Sequence, residues 1–302
     1  MRVLVTGVDG FIGSHVAEHL KANGHEVLGF CRTKPEIDLD YFLIGDLREN
    51  DVAERLKVVL KKVDSIQHIA ANADVWDPHP DLFHTNIHGT WELLDYARWS
   101  DASFVFTSSS AVYGNTPAPN KEDGPTNPNN NYALTKLVME KMIESYSKVF
   151  GLKGVALRYF NTYGTREHTK GKTASIPYQF LRQAMGGKIS IYGDGKQKRD
   201  FICVKDTVRA NAMAMVKAKG FEIINMGSGT AIEFNDVANM AQQIVSNGTT
   251  IEHVDNPLKN GYQLYTQADM SKAKEKLDFV PQVSLNEGMK WMHDYYSRNT
   301  LL

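Results

Sequence analysis

Cysteine is scarce in this chain of 302 residues: Cys31 and Cys203 are its only two, and no C-x-x-C pair exists. That excludes a disulfide framework, argues against a structural zinc site, and suits a reducing, cytoplasmic compartment. An excess of one charge is missing too. Lys and Arg total 34 against 35 Asp and Glu, a net of -1, so no nucleic-acid or polyanion partner is expected. No apolar run approaches the roughly 18 to 20 residues that span a bilayer. Met1-Arg2 leads straight into Val3-Leu4-Val5 before Gly7 interrupts, so neither a membrane segment nor a secretory leader is expected. His79, His84 and His88 lie close in sequence, but no third ligand of suitable geometry follows, and no metal is expected. Internal repeats and low-complexity tracts are absent.

What is present is an ordinary hydrophobic fraction, 42%, arranged as alternating strands and helices. Short β-rich runs fall at residues 2–6, 25–30, 65–70, 103–107 and 155–159, with helical spacing at 13–22, 51–60, 85–98 and 132–150 between them. Such alternation predicts an α/β fold with a doubly wound parallel sheet. After Asn161 the rhythm changes. A polar stretch over 164–173 precedes a helix at 176–185, and Tyr192-Gly193-Asp194-Gly195 reads as a turn. A strand at 200–204 and a helix at 207–216 are expected to return to the sheet. Residues 1–162 and about 199–225 then form the sheet domain. Residues 163–198 and 226–302 form a smaller α/β substrate lobe, with the substrate between the two.

The turn Gly7-Val8-Asp9-Gly10-Phe11-Ile12-Gly13 lies between the first strand and first helix. Gly7 permits the sharp turn, Gly10 lets a pyrophosphate approach the backbone, and Gly13 lets helix and strand pack closely. The helix N-terminus adds free N–H groups and partial positive charge, which together predict dinucleotide binding. An acidic residue is expected at the end of the second strand to grip the adenosine ribose, but Cys31-Arg32-Thr33-Lys34 stands there. Arg32 and Lys34 either hold a 2′-phosphate, favouring NADP over NAD, or form a solvated basic loop. Asp46, in Gly45-Asp46-Leu47, is placed to accept from the adenine amino group.

Tyr132 and Lys136 stand one helical turn apart on one face. An ammonium so close is expected to lower the phenol's pKa, letting the tyrosine exchange a proton with a substrate hydroxyl near neutral pH. The same spacing recurs as Tyr192 to Lys196, inside a glycine turn where the side chains need not share a face. Ser108-Ser109-Ser110 end a predicted parallel strand, where ligand sites of such sheets cluster.

These segments bring a resemblance. Residues 6–13, Asp46-Leu47, His68-Ile69-Ala70-Ala71, Thr85-Asn86, Ser108-Ser109-Ser110, residues 132–136, Arg158-Tyr159-Phe160-Asn161 and Arg199-Asp200-Phe201 occur in the order and spacing of extended short-chain dehydrogenase/reductases. The chain resembles that family's nucleotide-sugar epimerases and dehydratases over nearly its whole length. The resemblance implies a Rossmann-type fold and bound NAD or NADP, with a nucleotide-diphosphate sugar as substrate. It makes Ser109 the catalytic hydroxyl beside Tyr132 and Lys136. It places Phe11, Ile12, Leu47, Ala70, Ala71, Asn86 and Phe160 at the cofactor, with Phe160 on the nicotinamide. Asn161, Tyr192, Arg199 and Tyr262 are placed at the substrate. It also implies a homodimer, for which Trp91, Leu94, Leu137 and Met142 on the helices at 85–98 and 132–150 offer apolar contacts.

The implied reaction opens with Tyr132 taking a sugar hydroxyl proton while hydride leaves the carbon. A dehydratase would need an Asp-Glu pair after the catalytic hydroxyl, where this chain has Ser110-Ala111. Two epimerase readings remain. The serine-rich and Arg-Tyr-Phe-Asn segments resemble UDP-glucose 4-epimerases. Residues 166–175 and 262–269 resemble ADP-glyceromanno-heptose 6-epimerases, in which a lysine matching Lys170 serves as a second acid–base group. Lys170 as a solvated loop cation is the plain alternative. A second pyrophosphate-binding arginine, usual in UDP-sugar epimerases near residues 261–264, is absent, and Tyr262 is the substitute donor. A keto-reductase that consumes external cofactor is a further enzyme reading. A non-catalytic NADP-binding sensor is the reading outside enzymes, and retention of Ser109, Tyr132 and Lys136 speaks against it.

Overall fold

The computed structural model describes residues 1–74, 79–256 and 263–299. Its first half alternates as expected. Strands β1 (Arg2–Thr6), β2 (Glu26–Cys31), β3 (Tyr41–Ile44), β4 (Ser65–His68), β5 (Ser103–Ser109) and β6 (Gly154–Tyr159) are joined by α1 (Phe11–Ala22), α2 (Val52–Val59), α3 (Asp81–Phe83), α4 (Gly89–Ser100) and α5 (Asn131–Phe150). The second half holds β7 (Thr162–Tyr163), α6 (Ile176–Met185), β8 (Lys188–Tyr192), β9 (Lys198–Asp200), β10 (Ile202–Cys203), α7 (Val204–Lys217), β11 (Phe221–Met226), β12 (Ala231–Glu233), α8 (Phe234–Val245), β13 (Thr250–Val254), α9 (Ser271–Leu277) and α10 (Leu285–Asn299).

Seven strands form one parallel sheet in the order β11-β6-β5-β4-β1-β2-β3. The order reverses at β1, and the crevice above that reversal is where such sheets bind ligands. Central strands such as Val3-Leu4-Val5 are buried on both faces, which is why they read as continuous apolar runs. One face packs on α1 and α7 through Val16, Leu20, Val208 and Met215; the other packs on α2, α4 and α5 through Leu56, Leu93, Tyr96 and Ile143. A separate core, with Phe180, Ile191, Val237 and Met289, builds the second lobe.

Four expectations need correction. The segment expected to return to the sheet at 200–204 does not. It splits into β9 and β10, which pair with β12 and β7 rather than with the large sheet, and the seventh strand is β11. The lobe boundary near 226 is not clean, because Ala273, Leu277 and Phe279 bury themselves in the sheet-side core beneath α7. The helix expected at 85–98 is not α-helical throughout: a single π-type turn, His84–His88, leads directly into α4. Leu94, expected on an exposed face, is fully buried.

Candidate active site

A cleft of about 970 Å³ opens along the carboxyl ends of the sheet strands, between the sheet and the second lobe. At its floor Thr6 ends β1, and its Oγ1 accepts the N–H groups of Ile69 and Ala70, both at 3.0 Å. Gly7 turns away with φ of +72°, and a side chain there would press on the Ala70 backbone. A methyl group at Gly13 would be driven into the Gly7 carbonyl, so helix and strand meet at backbone distance. Gly10 caps α1 without any side-chain hydrogen bond, and the first turn carries no acidic residue. Its orphan N–H groups and positive helix end therefore suit an anion. Gly7, Gly10, Phe11, Ile12, Gly13, Ala70 and Ala71 all line the cleft. A cradle with no room for a Cβ, ending in unsatisfied donors, fits the pyrophosphate of a nicotinamide dinucleotide.

The far end of this cradle is lined by Asp9, Arg32, Asp46, Leu47, Arg48 and Asp81, while Lys34 does not line it. The Asp46 carboxylate accepts from Arg48 at 2.8 and 3.1 Å, and Arg48 also donates to Asp81 at 2.7 Å. This arginine, a neighbour the sequence reading passed over, holds Asp46 below the usual carboxylate range. Asn86 is not in the lining either. Its amide donates to Asn72 O (3.0 Å) and Thr135 Oγ1 (2.9 Å) and accepts from Asn72 N (2.8 Å). It ties the segment after β4 to α5.

On the opposite wall stand Ser109, Tyr132 and Lys136. Asn130 caps α5, its side chain accepting from Ala133 N at 2.8 Å, which seats Tyr132 in the first turn. Lys136 is fully buried; its Nζ donates to Thr107 O at 2.7 Å and sits 5.7 Å from the Tyr132 ring centre. Ser109 Oγ accepts from Ala111 N at 3.1 Å, which leaves its own O–H to donate. The expected lowering of the phenol by the ammonium is not found. Burial raises the Tyr132 phenol, opposed by a hydrogen bond from Ser109, and burial pulls Lys136 down to about 7, opposed by Glu140. In both side chains loss of solvation is the largest cause, because burial disfavours the charged form of each. Glu140 is a second group the sequence reading missed. Fully buried one turn after Lys136, it pairs with Arg158 at 2.7 Å and accepts from Ser108 Oγ at 2.5 Å.

Asn161, Arg199 and Phe201 add to the lining, with Lys170, Phe234 and Gln263 from the second lobe. Asn161 donates to Asp200 O at 2.8 Å, and Arg199 packs over the Phe234 ring and donates to Lys198 O and Gln263 O. Lys170 lies 3.4 Å from the buried Glu167 carboxylate and 5.2 Å from the Phe11 ring centre. Two expected contacts fall elsewhere. Phe160 is fully buried against Tyr113, and its neighbour Tyr159 lines the cleft instead. An alternating strand end explains this, because consecutive side chains take opposite faces. Tyr192 ends β8, exposed and off the cleft. Tyr262 lies outside the described residues.

The chain is 33% identical to a putative UDP-glucose 4-epimerase of Methanocaldococcus jannaschii over 98% of its own length and 99% of the relative's. It is 31% identical to an ADP-L-glycero-D-manno-heptose-6-epimerase of Alkalilimnicola ehrlichii, over 90% of both chains. Its fold superposes on the crystal structure of UDP-glucose 4-epimerase from Thermotoga maritima, bound to UDP-glucose, with a TM-score of 0.92 and 30% identity, covering 99% of this chain and 100% of that one. Residues 3–227, from the first strand through the seventh, match the model of the NAD dependent epimerase/dehydratase family, and with the cradle and the Ser109–Tyr132–Lys136 wall they make this chain an enzyme of that family.

Proposed function

We propose that this enzyme inverts a sugar carbon of a nucleotide-diphosphate sugar, in the manner of a UDP-hexose 4-epimerase. The observation that carries the reading is the meeting of Ser109, Tyr132 and Lys136 on one wall of a cleft whose floor is the glycine cradle. Gly7, Gly10 and Gly13 hold the pyrophosphate of NAD, and Lys136 holds its nicotinamide ribose. When bound, NAD supplies a reversible hydride acceptor. Tyr132 takes the proton of the sugar hydroxyl and returns one on the reverse step. Ser109 donates to the same oxygen pair and steadies the charge as the proton moves. Arg199, a mostly buried cation in this lining, holds the substrate pyrophosphate with Asn161. The lobe built from 163–198 and 226–302, without α9, closes on the nucleotide.

One observation favours a second reading. Lys170, paired with Glu167, reaches the cleft from the second lobe, as a second acid–base group of the heptose 6-epimerase type would. Incubation with UDP-, GDP- and ADP-sugars followed by NMR of the products separates the two. Product from UDP-glucose is expected, and product from an ADP-heptose alone would replace the first reading by the second. Net consumption of added dinucleotide would point instead to a keto-reductase. We also propose a homodimer joined through α4 and α5, supported by exposed Trp91, Leu134, Val149 and Phe150. A cytoplasmic location is proposed on the two buried, unpaired thiols.

A further inference from the structure

In sheets of this kind a carboxylate at the end of the second strand accepts from the ribose hydroxyls. Here β2 ends at Cys31, and Arg32 follows. Yet a carboxylate does reach that point, brought by another segment. Asp9 stands in the glycine-rich turn, and its Oδ2 accepts from Thr33 N at 3.1 Å and Thr33 Oγ1 at 2.8 Å. Gly7 N donates to Phe30 O at 2.8 Å, so turn and strand end are stitched together twice. The Cys31 thiol, raised mainly by burial, is raised further by the Asp9 charge. Among the described residues nothing donates to the second Asp9 oxygen, and Asp9 lines the cleft.

We propose that Asp9 replaces the missing strand-end carboxylate, accepting from the adenosine ribose hydroxyls and selecting a dinucleotide that lacks a 2′-phosphate. The inference rests on the dinucleotide-dependent reading above. Arg32 is the counter-argument. It lines the same end, and among the described residues it forms no ion pair, so a 2′-phosphate has one cation to meet. Three carboxylates, Asp9, Asp46 and Asp81, line the cleft with that cation and Arg48, and Arg48 is already shared between Asp46 and Asp81. A phosphate near Arg32 therefore meets net negative charge, whereas a hydroxyl meets an acceptor. Lys34, the other cation after the strand, does not line the cleft.

The test is calorimetric titration of dinucleotide-free protein with NAD+ and with NADP+, for the parent and for Asp9→Asn. Asp9 is exposed, so the change carries little folding burden. The parent is expected to bind NAD+ at least about tenfold tighter than NADP+, the discrimination of one charge-assisted hydrogen bond. Asp9→Asn should lose about that factor toward NAD+ while NADP+ binding holds or improves. A parent that prefers NADP+ overturns the inference alone. So does a variant that keeps its NAD+ affinity, or one that loses both ligands equally, since the carboxylate would then only brace the turn. A parent that binds neither dinucleotide brings down the epimerase reading as well.

Discussion

Lys136 shows how one residue can carry a cost for the sake of chemistry. The unfolded chain keeps this amine protonated to about pH 10.5, whereas the folded protein gives up the proton near 7. The folded state is thus penalised fully below pH 7, and the penalty fades as pH rises toward 10.5. Lys136→Met is expected to abolish turnover yet raise the midpoint of thermal unfolding by a few degrees at pH 7, with the gain shrinking by pH 10. Calorimetric scans across that range check it. An equal shift at every pH would mean that the gain does not come from the charge of the buried amine. Lys170 is the opposite case, a cation held at the cleft by the Glu167 carboxylate. If one phenol serves both faces of the sugar, Lys170→Met should leave C4 inversion within about threefold of the parent. A fall of about a hundredfold or more would assign Lys170 an acid–base role.

At the scale of elements, the catalytic wall depends on how helix α5 is seated. Its cap, Asn130, holds the first turn from inside the helix, and Asn86 holds it from outside through Thr135 while gripping the segment after β4. Because Asn86 is fully buried, its loss strands several polar groups at once. Asn86→Ala is expected to cost about 2 to 4 kcal/mol in denaturant unfolding, and to weaken dinucleotide binding at temperatures where the protein stays folded. Stability and affinity both unchanged would show that the brace is dispensable. The same element logic explains why β11 escaped the sequence reading. Phe221-Glu222-Ile223-Ile224 is a brief apolar run after a helix, and only its partner β6 distinguishes it from a loop.

For the whole molecule, α4 and α5 leave Trp91 (48% exposed), Leu134 (42%), Val149 (66%) and Phe150 (55%) uncovered. Exposed apolar side chains on both helices support the proposed interface. If the proposed dimer forms, Phe150→Glu combined with Trp91→Glu should convert it to monomer in size-exclusion chromatography with light scattering. A parent already monomeric at micromolar concentration would remove the dimer from the account. The two lobes meet across the cleft, and links such as Arg166 to Glu18 and His15 to Thr165 hold the Lys170 segment against α1.

Much of this protein follows from local sequence. The parallel sheet was legible because strands buried on both faces must be apolar, and the cradle because only glycines allow that turn and that approach. Tyr132 and Lys136 were legible because 3.6 residues per turn sets them side by side. Tertiary structure decided the rest. Whether the amine or the phenol is favoured in its charged form depends on water excluded by the surrounding chain. Phe160 and Tyr192 lie off the cleft through the faces their strands present. Asp9 reaches the end of β2 only because β1 and β2 are neighbours in the sheet, a proximity that no spacing along the chain encodes.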